Sequence, residues 1–168
     1  MVVACALVAG LGVIPPAGAS FTYTVLPNVA TGSGAWGVAV APGGTVYVTN
    51  TNANTVSVVE GAAEVAEIPV GAFPYDVTVA ANGFVYVANV NSNSVSVINP
   101  ATNTVAGAAI PVGLAPSDLA ADPGAARVYV TNAFSNTVSV IDTVTNAVIG
   151  PPIAVATDPE GIAVAPDG

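Results

Sequence analysis

Trp36-Gly37, Tyr75-Asp76, Ser117-Asp118 and Glu160-Gly161 hold corresponding places in a chain that repeats itself. If the fold brings those places together, three carboxylates, Asp76, Asp118 and Glu160, gather beside two aromatic rings, Trp36 and Tyr75. Carboxylate oxygens suit a hard cation such as Ca²⁺, and aromatic faces suit a stacked ligand. The plainer alternative is that the aspartates cap turns and the tryptophan fills space. Little else in the chain can do chemistry. The 168 residues contain no His, and one basic side chain, Arg127, against ten acidic ones, for a net charge of −9. Cys5 is the only cysteine, so disulfides, His-based triads, thiol catalysis and His or Cys zinc sites are excluded from residue 20 onward. No phosphate-cradling loop ending in Lys is present. A nucleic-acid partner is excluded by charge, because cations are needed to neutralise phosphates. No catalytic residue is assigned.

The elements that must position these residues are short and recurrent. "TVYVTNTNANTVSV" at 45–58 returns as "FVYVANVNSNSVSV" at 84–97 and "RVYVTNAFSNTVSV" at 127–140. Tyr47, Tyr86 and Tyr129 are 39 and 43 residues apart, and Pro74, Pro116 and Pro159 are 42 and 43 apart. A period near 40 built from strand-like segments matches a propeller blade, whereas helical repeats of that length need long 3.6-periodic segments. Each unit predicts four strands. The first is "GVAVA" at 37–41, "DVTVA" at 76–80 or "DLAAD" at 118–122, with "GIAVA" at 161–165 opening another unit. "TVYVT" and "TVSVV" typify the second and third. The fourth covers 66–70, 107–112 and 151–155. Val and Ser alternate in the third strand with no charge on either face, so both faces can be buried between neighbouring sheets. The repeated Asn residues, 50, 89 and 132 at the end of the second strand and 54, 93 and 136 before the third, are expected to form turns. Their alternative is an amide ladder that binds sugar.

"YVTN" at 47–50 and 129–132, with "YVAN" at 86–89 and the "NTVSV" that follows, resembles the YVTN family of β-propeller repeats. The resemblance covers about residues 36–168. The Trp-Asp pair of WD40 blades and the double-Gly pattern of kelch blades are absent. The resemblance implies a disc of four-stranded blades, often exported or on the cell surface, and no single activity. In such a disc the positions opening the first strands converge at one mouth of the central channel. Related propeller lactonases hold a carboxylate-bound metal in that region, and only part of such a carboxylate set is present here.

The expected fold is therefore all-β: an incomplete β-propeller of three four-stranded antiparallel blades, at about 36–73, 75–115 and 117–158, plus the start of another at 160–168. "FTYTVLP" at 21–27 stands where a fourth strand would precede the first full unit. Closed rings use four to eight blades, so a piece of a longer chain is expected, with assembly from several copies as the alternative. Residues 1–19 read as an export signal. Their apolar run is too short for a bilayer and ends in Ala17-Gly18-Ala19, a small-x-small cleavage pattern, although no Lys or Arg precedes the run. No membrane span remains after removal. The expectation is a secreted, periplasmic or cell-surface binding or scaffold module whose partner is a protein or glycan. The alternative is a piece of a propeller hydrolase or lyase, such as a metal-dependent lactonase.

Overall fold

The computed structural model describes residues 28–165. The expected export signal at 1–19 and the strand at 21–27 lie outside the described residues.

Val-rich alternation does what it predicts. Three antiparallel sheets follow one another along the chain. The first is β1 (Ala35–Val40), β2 (Val46–Asn50), β3 (Thr55–Glu60) and β4 (Ala63–Pro69). The second is β5 (Pro74–Val79), β6 (Val85–Asn89), β7 (Ser94–Asn99), β8 (Thr104–Val105) and β9 (Ile110–Pro111). The third is β10 (Pro116–Ala121), β11 (Arg127–Asn132), β12 (Thr137–Asp142), β13 (Ala147–Val148) and β14 (Ile153–Ala154). Each runs in sequence order from an inner strand outward. The inner strands β1, β5 and β10 lie side by side, while the outer strands of adjacent sheets scarcely meet. The sheets therefore fan out from a common axis as an open β-propeller arc. Apart from two three-residue 3₁₀ turns at Val90–Ser92 and Ala133–Ser135, the described residues contain no helix.

Both faces of the middle blade are buried, as the uncharged alternation requires. Val85, Val87 and Ile98 pack with Tyr47, Val56, Val58 and Ile68 of the first blade. Tyr86, Ala88, Val95 and Val97 pack with Leu119, Val128, Val130 and Ile141 of the third. The Tyr86 hydroxyl also reaches the third blade, where it donates to Asn146 Oδ1 at 2.7 Å.

The fourth strand departs from expectation. In the first blade it is one strand with one extra residue opposite Val58 and Val59. In the second and third blades it is split into two dipeptides, both paired to the third strand. There five residue steps from Val105 to Ile110 face three from Ile98 to Val95, so two residues must bulge out. Gly107, at φ 76°, sits in that bulge, and Gly150, at φ 70°, repeats it in the third blade. At the C-terminal end, 161–165 forms no ladder, although the Ile162 amide donates to Asp118 Oδ2 at 2.7 Å.

The two sets of Asn have different roles, and for one set the turn expectation is corrected. Asn54, Asn93 and Asn136 do sit in left-handed conformation, with φ of 59°, 50° and 55°. Their side-chain oxygens accept the backbone N–H of Phe73, Ala115 and Asp158 at 2.8–2.9 Å, which anchors the link to the next blade. Asn50, Asn89 and Asn132 instead end extended strands and are fully buried. Their amides donate to the hydroxyls of Ser57, Ser96 and Ser139 at 2.8–2.9 Å, and each Oδ1 is left without a partner. Buried in this way, they offer no ladder to a sugar.

Candidate functional site

The inner strand of each blade carries an irregularity at its first residues. Register breaks between Ala35 and Val38, between Pro74 and Val77, and between Pro116 and Asp118. Bulges of this kind re-aim side chains at a sheet's end, and the sequence-predicted site residues of these strands occupy them. Threonine hydroxyls fill two of the three. Thr49 Oγ1 accepts the Gly37 N–H at 2.7 Å and donates across to the Tyr75 carbonyl of the next blade at 2.8 Å. Thr131 Oγ1 accepts the Asp118 N–H at 3.0 Å and bonds Ser117 Oγ at 3.0 Å. Ser117 in turn donates to the Pro159 carbonyl at 3.1 Å. The third position of each "YVTN" thus holds the bulge and the blade-to-blade contact, and Ala88 lacks that hydroxyl in the middle blade.

Two of the three expected carboxylates meet. The Asp76 and Asp118 carboxyl groups come within hydrogen-bonding reach of each other. Burial first, and then hydrogen bonding to Asp118, push Asp76 from 3.8 up to about 7, so its carboxyl keeps a proton well above the ordinary carboxylate range. Each carboxyl also fastens its blade to the segment that follows. Asp76 Oδ2 accepts the Leu119 amide at 2.9 Å, and Asp118 Oδ2 accepts the Ile162 amide at 2.7 Å. The first blade has Gly37 at this position because the next inner strand crowds it, and a Cβ there would lie 2.5 Å from the Tyr75 carbonyl oxygen. Among the described residues no group of three His, Cys, Asp or Glu is placed to hold a metal ion, so Glu160 does not join the pair as a third ligand. Two carboxyls with engaged oxygens offer fewer donors than the six to eight that Ca²⁺ takes.

The aromatic residues meet as well. Trp36, 63% exposed, lies on Tyr75 with ring centroids 4.8 Å apart. Tyr75 is followed by Phe73 at 6.4 Å in near-parallel orientation. Beside this row opens a cavity of about 410 Å³ lined by Phe73, Tyr75, Ala115, Ser117, Asp158 and Glu160, together with Val90, Ala133 and Phe134. The first six are the residues before and after Pro74, Pro116 and Pro159, taken from three successive units. Phe73, Ala115 and Asp158 share a left-handed backbone, at φ 53–56°. Three non-glycine residues held in that region at one mouth mark a strained rim fixed by its surroundings.

Sequence reasoning does not single out Phe73 or Phe134. A signal exists for Phe134: "NAFSN" at 132–136 has Phe where "NTNAN" and "NVNSN" have Asn. Its ring is 77% exposed. Arg127, the only basic side chain, opens β11 at the opposite end of the blade. Six residues at about 3.4 Å each place it ~17 Å from the rim, where it pairs in register with Asp142. Hydrogen bonds from the Thr145 amide and its neighbours hold the Asp142 carboxyl below its ordinary range, with Arg127 adding a smaller effect.

Three four-stranded blades around shared inner strands define a β-propeller repeat protein. The NHL repeat family model matches residues 33–59. No curated protein sequence matches the chain significantly. Among solved structures, the chain resembles Kuenenia stuttgartiensis hydrazine synthase at 27% identity and TM-score 0.73, over 94% of this chain and 44% of that one. It resembles virginiamycin B lyase from Staphylococcus aureus at 18% identity and TM-score 0.67, over 77% of this chain and 45% of that one. AztD from Citrobacter koseri follows at 14% identity and TM-score 0.63, over 75% and 37%. The chain spans less than half the length of each of these structures.

Proposed function

We propose that the chain is part of an exported, non-catalytic propeller of the YVTN type, a binding module that presents its channel mouth to a ligand, protein or glycan. One observation carries the reading: six of the nine residues lining the cavity are the same two positions of three units, and these positions vary from Phe and Tyr to Ala and Ser to Asp and Glu. The prolines between them and the asparagines anchoring them repeat, so the frame is constant and the lining differs from blade to blade. Carboxylates are the only charged groups at the rim. General acid–base work on neutral substrates commonly relies on a positioned group of tuned pKa. The one such group is Asp76, and its oxygen is already held by the Leu119 amide. The reading gives the Asp76–Asp118 pair to blade-to-blade bonding and assigns it no metal.

A second reading, a piece of a propeller hydrolase or lyase such as a lactonase, is favoured by one feature, the raised pKa of Asp76. One assay separates the two. The purified chain is offered lactone substrates with added Ca²⁺, and no turnover is expected. Turnover that vanishes in the Asp76→Ala/Asp118→Ala double variant establishes the enzyme reading in its place. Export is tested separately by N-terminal sequencing of secreted material, which should begin at Ser20.

A further inference from the structure

We propose that the mouth cavity binds a small organic ammonium ion carrying an apolar group. This inference rests on the binding-module reading and names the ligand class of that same site.

The lining is ordered by blade. Phe73 and Tyr75, at the opening of the second blade, form an aromatic wall extended by Trp36. Ala115 and Ser117, at the opening of the third, contribute small side chains to the lining. Asp158 and Glu160, from the segment after the third blade, complete the set, and both are exposed. Phe134 stands over the same space with most of its ring open to solvent. A cavity of this size falls within the range that takes small molecules.

Charge decides which small molecules. Both carboxylates in the lining are acids without a basic neighbour in the lining, and the only basic side chain, Arg127, stands at the other end of β11, ~17 Å along that strand from the rim. The surrounding chain is at −9, so the rim repels anions and draws cations toward it. A metal ion is poorly served, because among the described residues no third His, Cys, Asp or Glu is grouped with the two acids. An organic ammonium fits both walls at once. Its charge faces Asp158 and Glu160, and its methyl groups or ring rest on Phe73, Tyr75 and Phe134. An aromatic ring attracts such a cation through its negative face, and a weakly hydrated ammonium gives up little on leaving water. A neutral sugar would use the rings and leave the two carboxylates without cationic partners.

Benzyltrimethylammonium is the probe, with benzyl alcohol and cellobiose as neutral comparisons, titrated into the full chain by calorimetry and followed by NMR at the aromatic resonances. The ammonium ion should bind at least about tenfold more tightly than benzyl alcohol at low salt, and the preference should shrink as salt rises to about 1 M. Phe134→Ala should weaken it about two- to fivefold, the loss of one exposed cation–π contact. Glu160→Gln should weaken it as well while leaving benzyl alcohol unchanged. Both side chains are exposed, so neither variant threatens folding. If cellobiose or benzyl alcohol binds as tightly and still depends on Phe134, the ammonium proposal falls and the binding-module reading stands. If the ammonium ion binds equally well to both variants, only diffuse surface charge attracts it, and the proposal falls. If no probe binds, the proposal falls, and the binding-module reading loses its carrying observation.

Discussion

Replacing Asp76 with asparagine should make the protein less sensitive to pH between about 4 and 8. The folded protein holds the Asp76 proton up to about pH 7, because burial and the bond to Asp118 oppose ionisation; the carboxyl ordinarily ionises at 3.8. The folded state therefore binds a proton that the unfolded state has released across that window. The resulting stabilisation is complete below about pH 4 and is lost as pH rises through 7. At 1.36 kcal/mol per pH unit the gap amounts to at most ~4 kcal/mol. Asp76 is only partly buried, so screening by water reduces the effect to ~1–2 kcal/mol. The substituted amide would keep an oxygen for the Leu119 N–H and offer its own N–H to the Asp118 carboxylate, with nothing to titrate. Urea unfolding of both proteins at pH 4.5, 6 and 8 reads the result. The other acids contribute nearly the same background to each, so the difference between the two curves is the quantity that matters. Asp76→Asn should gain on the wild type by ~1–2 kcal/mol between pH 4.5 and 8. Parallel curves would refute the raised pKa of Asp76.

Three further sets of substitutions test the frame. Thr131→Val leaves the Asp118 N–H without its acceptor and should cost ~1–3 kcal/mol by chemical denaturation, with Thr131→Ser retaining most of the stability. Asn93 combines left-handed backbone with a hydrogen bond to the Ala115 amide. Melting temperatures should therefore fall from wild type to Asn93→Gly to Asn93→Ala, since Gly loses only the bond and Ala adds ~1–2 kcal/mol of backbone strain. Gly71→Ala would place a Cβ 2.6 Å from Asn89 Cγ, a fully buried side chain. It should cost ~1–3 kcal/mol, and Gly71→Ala with Asn89→Ala should cost less than the sum of the two single changes in a thermodynamic cycle.

The strand order, the blade repeat and the burial of both sheet faces were legible because they follow from local alternation and period. Val56 and Val58 share a face with period two wherever the chain places them. The roles of Asn50, Asn89 and Asn132 were not legible. An Asn at the end of a strand and an Asn in the turn four residues later look alike in sequence, and only the packing of Gly32, Gly71 and Gly113 against the former separates them. The split fourth strand was hidden for a related reason. In the second blade the residues of the bulge are small, so "AGAA" at 106–109 reads as weak strand rather than as a bulge. At the site, the meeting of Trp36 with Tyr75 and of Asp76 with Asp118 followed from assigning equivalent positions. The hydrogen bonds that hold the two carboxyls did not, because the Leu119 and Ile162 amides come from the neighbouring segment in each case.

Positions that repeat and positions that differ have separate duties in this chain. Pro74, Pro116 and Pro159, with Asn54, Asn93 and Asn136, hold three links in one geometry whatever side chains flank the prolines. Thr49 and Thr131 fix the bulges from the adjoining strand. Because the backbone of each link is over-determined in this way, the flanking residues are free to change without loss of the fold. Phe73 and Tyr75, Ala115 and Ser117, and Asp158 and Glu160 use that freedom at one rim. Phe134 does the same in the loop between β11 and β12, where its exposed ring stabilises nothing by burial. A large apolar side chain left in water at a place where the other two units have Asn has no role in the frame. In a repeat protein the frame is what the units share, so binding specificity is to be sought where one unit departs from the others.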